Sequence, residues 1–325
     1  MTSIHIPVVD LSSAIDGTDP DAVAREVHQA ISTGGFCQVI GHGIRPELID
    51  AYYAHMDELF ARPQAQKDAW KSPSGDLMRG YSRSTKGIED GAVMESWETA
   101  SIESPDEAVR VGVDPAYADY FNTFPWPEIP GFRDSVNELF EATKQLGDLM
   151  MSLFARSLDL DPTYFAQFFQ NDASNFACKY YSASDQLPVQ RVLLPEHGDS
   201  GVLTLLHQRG SYDGLQVLQL DGRRVTVPVR DDAYVVNVGQ LMTRWTNGLF
   251  PATPHRVVTP PETDHSRKSI VLFYLPAIDT SIAPLPSCVG AEGPTYPAIT
   301  PREQQEQIYA AAIERAKRPA VVEPV

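Results

Sequence analysis

Cysteine is scarce in this chain: there are three in 325 residues, Cys37, Cys178 and Cys288, odd in number and far apart. That spacing excludes a disulfide framework and a thiolate zinc cluster, and it suits a reducing, cytoplasmic setting. Basic residues are also in deficit. Lys and Arg number 26 against 43 Asp and Glu, a formal charge of −17, which argues against a nucleic-acid or anionic-membrane surface. No apolar run approaches the ~20 residues of a membrane span. The opening MTSIHIPVVDLSS lacks the basic, apolar and small-residue order of a secretory signal. Internal repeats and low-complexity linkers are missing too, so residues 1–325 are expected to form one domain, with a monomer as the default.

What is present falls into two halves. Up to about residue 130 the chain reads as helices and irregular segments. Asp19-Pro20 opens a helix with Val23, Val27 and Ile31 on one face, and Gly34-Gly35 closes it, the expected order of proline first and glycine last. FCQVIGHGI reads as a short strand and turn, and Pro46 opens a second helix. Residues 62–130 are rich in Pro, Gly and Ser and read as irregular. A long helix follows, with Val136, Leu139, Phe140, Thr143, Leu146, Met150 and Leu153 in helical period until Asp161-Pro162. From about 175 to 280 the period becomes that of strands. GLQVLQLDGRRVTVPV carries an Asp221-Gly222 hairpin signal, and AYVVNVG, PHRVV and KSIVLFYLP add further short β-runs. A last helix, about 300–318, begins at Thr300 with Pro301 and Glu303 set for a capping box. The fold class expected is α+β, mainly β: a double-stranded β-helix (jelly-roll) core wrapped by N-terminal helices, a long central helix and a C-terminal helix.

Chemistry concentrates in LLPEHGDSGVLTLL, residues 193–206. In a strand, residues i and i+2 point the same way, so His197 and Asp199 would share one face. Such a pair either satisfies itself beside a turn or holds something. A third partner is available in His255 of PATPHRVV. Two histidines and a carboxylate make the facial triad of non-haem Fe(II) oxygenases, whereas a structural zinc site would favour thiolates and a closed shell. His207, at the end of an apolar strand, is the competing ligand; His5, His28, His42, His55 and His265 read as surface or turn. Arg267 and Ser269 in RKSIVLFY are again two apart at a strand entry. A guanidinium beside a hydroxyl cradles a carboxylate, although an arginine taken alone is more often a surface ion-pair partner.

With these features in view, the sequence resembles the 2-oxoglutarate- and Fe(II)-dependent dioxygenases of the isopenicillin N synthase-like type, over nearly its whole length. IPVVDLS, GGFCQVIGHGI, FPWPEIPGFR, EHGDSGVLTLL, GLQVL, NVGQLMTRWTNG and TPHRVV follow in that family's order. The resemblance implies a jelly-roll core, iron ligands at His197, Asp199 and His255, a 2-oxoglutarate clamp at Arg267 and Ser269, and a cosubstrate contact at Tyr181. It implies an oxygenase that uses Fe(II), 2-oxoglutarate and O2, releases succinate and CO2, and oxidises a small metabolite, as in secondary metabolism. Relatives that keep the iron but use no 2-oxoglutarate are the alternative. One stretch departs from the family pattern: in CKYYSAS, Lys179 and Ser182 stand where many relatives have asparagine and proline. Lys179 shares the face of Tyr181. It either snorkels to the rim or pairs with a carboxylate, or it binds an acidic group of the substrate with help from Arg191. The second alternative gives a carboxylate-bearing small molecule as substrate. MESWE, residues 94–98, reads as structural.

Overall fold

The computed structural model describes residues 5–75, 78–84, 94–181, 192–259 and 266–317. Within them, twelve strands form two sheets: β1 (Val8–Asp10), β2 (Phe36–Ile40), β3 (Gly80–Ser84), β4 (Met94–Ala100), β5 (Asn175–Tyr181), β6 (Val192–His197), β7 (Leu203–Gly210), β8 (Leu215–Leu218), β9 (Arg224–Thr226), β10 (Tyr234–Val238), β11 (His255–Val258) and β12 (Arg267–Tyr274). The major sheet runs β1-β2-β10-β7-β12-β5-β4-β3 and the minor sheet β6-β11-β8-β9. Only the β1–β2 pair is parallel among these. The two sheets face each other as a jelly roll, with helices packed on the outside of the major sheet.

Strand alternation divides the major sheet into two faces. Ile270, Leu272 and Tyr274 of β12, Phe176 and Cys178 of β5, and Tyr234, Val236 and Val238 of β10 turn outward. They bury against Val27 and Ile31 of the Pro20–Gly34 helix, Tyr52 and Met56 of the Pro46–Ala61 helix, and Leu139, Leu146 and Met150 of the Phe132–Ser157 helix. The complementary residues Val235 and Tyr181 turn inward and pack with Leu193, Leu215, Val217, Val227 and Val257 of the minor sheet. Rigid apolar packing on both faces of the major sheet holds its inward polar side chains in place.

The capping signals act as the sequence indicates. Asp19 accepts a hydrogen bond from Ala22 N, and Gly35 ends the first long helix at φ +69°. A side chain at Gly35 would also collide with Thr253 and the Pro251 carbonyl, the segment that delivers His255, so glycine is required twice over. At the last helix, Thr300 and Glu303 exchange both capping-box bonds, Glu303 N to Thr300 Oγ1 at 3.1 Å and Thr300 N to Glu303 Oε2 at 2.8 Å. Asp221-Gly222 makes the β8–β9 turn, with Gly222 at φ +82°. No helix among the described residues is long and apolar enough to cross a membrane.

Two expectations need correction. Residues 62–130 are not wholly irregular: β3 and β4 pair antiparallel and extend the major sheet. MESWETA hides its strand character because both faces are buried. Trp97 sits in the helical core while Glu98 turns inward, so no apolar–polar alternation is left to read. And β6 ends at His197, so Asp199 lies beyond the strand and strand alternation does not explain its convergence with His197.

Candidate active site

His197 closes β6 and His255 opens β11, and the two are directly opposed in the antiparallel pair. Their rings lie 4.4 Å apart, centroid to centroid. Each uses the same device to fix its ring. His197 Nδ1 is 2.9 Å from the Pro195 carbonyl and His255 Nδ1 is 3.2 Å from the Thr253 carbonyl, in both cases two residues back. A carbonyl only accepts, so the proton belongs on Nδ1 and the Nε2 lone pair is left for another group. Both Nε2 atoms sit 3.7 Å from the same atom, Asp199 Oδ1.

Asp199 reaches that point on the loop after β6, where its carbonyl accepts from Gln240 N at 2.8 Å. Its other oxygen, Oδ2, accepts from Thr204 Oγ1 at 2.6 Å and Asn237 Nδ2 at 2.7 Å. Burial pushes the carboxyl pKa up, but the His255 imidazole and the Thr204 and Asn237 donors outweigh it, and the net result lies below the ordinary value. His197 goes down as well, chiefly through burial and the neighbouring His255, with Lys179 adding to the effect. At neutral pH this gives a neutral His197 imidazole and a charged Asp199 carboxylate, the protonation states a metal requires. Among the described residues this is the one group of three or more His, Cys, Asp or Glu whose ligand atoms converge, all within 4.8 Å of one another. Two imidazole nitrogens and one hard oxygen, with no fourth protein ligand among the described residues, suit Fe(II) with open positions and not a closed structural zinc shell.

Arg267 and Ser269 begin β12 and face inward, both almost fully buried. Arg267 Nη2 donates to Gln208 Oε1 at 3.0 Å, its guanidinium lies 5.4 Å from the Tyr181 ring centroid, and Nε is buried with no hydrogen-bond partner. Among the described residues no carboxylate pairs with it. A buried guanidinium left in this state is costly, and the carboxylate of a bound acid would satisfy it. Lys179, directly opposite Ser269, also faces inward, with its Nζ 4.0 Å from Glu98 Oε1 and 5.3 Å from the Phe273 ring centroid. Arg191 lies outside the described residues. His207 stays away from the metal group: its Nδ1 is 3.0 Å from the Tyr53 hydroxyl and its Nε2 3.1 Å from the Asp231 carbonyl.

Thr204, Asn237 and Gln208, which orient the ligands and the arginine, escape a motif search. Their one signal is a polar residue at an inward position of an apolar run, as in Val235-Val236-Asn237. Glu98, in a segment that reads as structural, gives no signal at all until β4 is placed beside β5.

Comparison with known proteins bears on this geometry directly. Residues 6–128 match the family described as non-haem dioxygenase in morphine synthesis N-terminal, and residues 172–276 match the 2OG-Fe(II) oxygenase superfamily. Jasmonate-induced oxygenase 2 of Arabidopsis thaliana is 29% identical over 305 residues, covering 92% of this chain and 78% of the relative. A 2OG-Fe(II) oxygenase family protein from Caulobacter crescentus has a similar structure, with TM-score 0.83 and 27% identity over 95% of this chain and all of that one. So has a Neurospora crassa protein crystallised in complex with alpha-KG and thymine, with TM-score 0.77 and 25% identity over 94% and 97%. The chain therefore belongs to the 2OG-Fe(II) oxygenase superfamily, as a non-haem Fe(II)- and 2-oxoglutarate-dependent dioxygenase.

Proposed function

We propose that His197, Asp199 and His255 hold the iron, that Arg267, Ser269 and Tyr181 hold 2-oxoglutarate, and that Lys179 and Arg191 belong to the substrate side of the same cavity. The observation that carries the reading is the meeting of His197 Nε2, His255 Nε2 and Asp199 Oδ1 at one point at the minor sheet, with the facing major sheet presenting Arg267, a buried arginine whose Nε has no partner. Held there, Fe(II) would let 2-oxoglutarate and O2 supply the oxidising power, leaving succinate and CO2 as the substrate is hydroxylated, desaturated or cyclised.

The chain's own contribution is positional. The Pro195 and Thr253 carbonyls keep Nδ1 protonated and so aim both Nε2 lone pairs inward. Thr204 and Asn237 occupy Asp199 Oδ2 and leave Oδ1 as the ligand oxygen. Gln208 fixes one edge of the Arg267 guanidinium, and Tyr181 covers its face. The apolar packing between the sheets, including Phe36 at 5.3 Å from the His255 ring, excludes water from the far side of the ligands. The substrate is a small molecule with a carboxylate, and the enzyme works as one catalytic unit over 1–325. A cytoplasmic setting is supported by the free cysteines, two of which, Cys37 and Cys178, are buried with thiols pushed up to about 12.

The test is succinate formation from 2-oxoglutarate by anaerobically purified protein supplied with Fe(II) and then O2. Iron-dependent succinate is expected from the wild type and none from His255→Ala. Metal uptake without succinate, in the presence of accepted substrate, would overturn the role given to Arg267.

A further inference from the structure

The inner face of the major sheet carries a second polar group that neither the metal ligands nor the 2-oxoglutarate clamp uses. Strand register fixes its place. Phe273 of β12 is flanked by Thr204 of β7 and by Asn175 of β5. Thr204 bonds Asp199, so Asn175 stands two strands further on, roughly 10 Å at about 4.8 Å per strand. One residue pair along, Ala177 is opposite Glu98, which is opposite Gly80. Arg79 precedes Gly80 and turns in beside them: its Nη1 donates to Asn175 Oδ1 at 2.7 Å and to the Met78 carbonyl at 2.8 Å.

Among the described residues only two arginines are almost fully buried, Arg79 and Arg267, each 2% exposed. They share one signature. Each has a buried Nε with no hydrogen-bond partner, and each lacks an ion pair with a described carboxylate. At Arg267 the deficit is what the distal carboxylate of 2-oxoglutarate removes. Arg79 has the same deficit, and its two recorded partners are a neutral amide and a neutral carbonyl. Lys179 differs, because Glu98 stands 4.0 Å from its ammonium and offsets its charge.

We propose that Arg79, seated on Asn175, is the residue that binds the carboxylate of the prime substrate, and that Lys179 is a charge-balanced neighbour. This rests on the reading of the metal centre above, since that centre sets where the substrate lies. The substrate body then extends past Phe273 toward Asp199, and the carboxylate accepts from the guanidinium edge that has no partner among the described residues. Selectivity for acids over uncharged analogues follows from Arg79.

The experiment compares benzoate with benzamide, and octanoate with octanamide, by calorimetry on protein loaded with Zn(II) and excess 2-oxoglutarate, so that Arg267 is already occupied. Metal stoichiometry and 2-oxoglutarate binding are measured before any probe is added; their failure would sink the reading of the centre. With loading intact, acids are expected to bind at least tenfold more tightly than their amides. Arg79→Met is expected to reduce that ratio below threefold, Arg79→Lys to restore part of it, and Lys179→Met to leave it within threefold of wild type. Equal response of the wild type to acid and amide, including no response to either at tens of millimolar, overturns the proposal whether or not Arg79→Met folds. So does a preference that survives Arg79→Met and disappears in Lys179→Met.

Discussion

Two histidine sites lie on this sheet framework, with opposite outcomes. At the barrel mouth, His197 and His255 give their Nδ1 protons to backbone carbonyls and turn Nε2 toward Asp199. On the outer face, His207 has the reverse tautomer. Its Nε2 must donate to the Asp231 carbonyl, which leaves Nδ1 to accept from the Tyr53 hydroxyl, so both ring nitrogens are spent. Burial alone does not separate the two sites, because His207 is fully buried and His255 nearly so, while His197 beside it is half-open. What separates them is whether one nitrogen is left over and whether a carboxylate stands in front of it.

The sharpest way to break that contrast is to remove one histidine from each site. His255→Ala should abolish stoichiometric Fe(II) and lower succinate formation by at least about 10³-fold, while His207→Ala keeps about one metal per chain; metal analysis and a succinate assay read both. Arg267→Met comes next. Losing two charge-assisted hydrogen bonds of about 1.5–3 kcal/mol each should weaken 2-oxoglutarate binding by about 10²–10⁴-fold with metal stoichiometry unchanged, as measured by calorimetry.

The third prediction concerns pH. Burial lowers the His207 pKa to about 4, against an ordinary 6.5. The unfolded chain therefore takes up this proton first as pH falls. The stability contributed by neutral His207 is complete above pH 6.5 and is lost between 6.5 and 4, amounting to about 3 kcal/mol. Denaturant unfolding across that window should show the decline, and His207→Gln should flatten it. The smallest effect sharpens the metal cluster itself. Asn237→Ala removes one of the two donors to Asp199 Oδ2 and should weaken metal binding by about 10–100-fold without emptying the site at saturating Fe(II).

Much of the molecule is legible in the sequence. Asp19, Gly35, Thr300 and Glu303 act locally, through hydrogen bonds to their own helix ends, so their roles follow from neighbours in the chain. His197, Asp199, His255, Arg267 and Ser269 stand out because each is a polar residue beside an apolar run, in an order that a known family shares. Strand alternation is nevertheless not what brings His197 and Asp199 together: Asp199 is aimed by Thr204, Asn237 and Gln240 after the strand has ended. Lys179 shows the opposite case. Its inward direction follows from alternation along β5, but its pairing with Glu98 requires β4 to lie alongside, and the strand character of MESWETA is concealed by burial on both faces.

By itself, then, the sequence determined the capped helix ends, the identity of the ligand-type side chains and the enzyme class, because those depend on residue chemistry and on spacing along one chain. Only the tertiary structure decided which histidine nitrogens are free, which lysine is already paired and which arginine is buried without an anion. Those properties belong to contacts between strands far apart in sequence, such as Arg79 with Asn175 across 96 positions, and low-dielectric burial gives such contacts their weight.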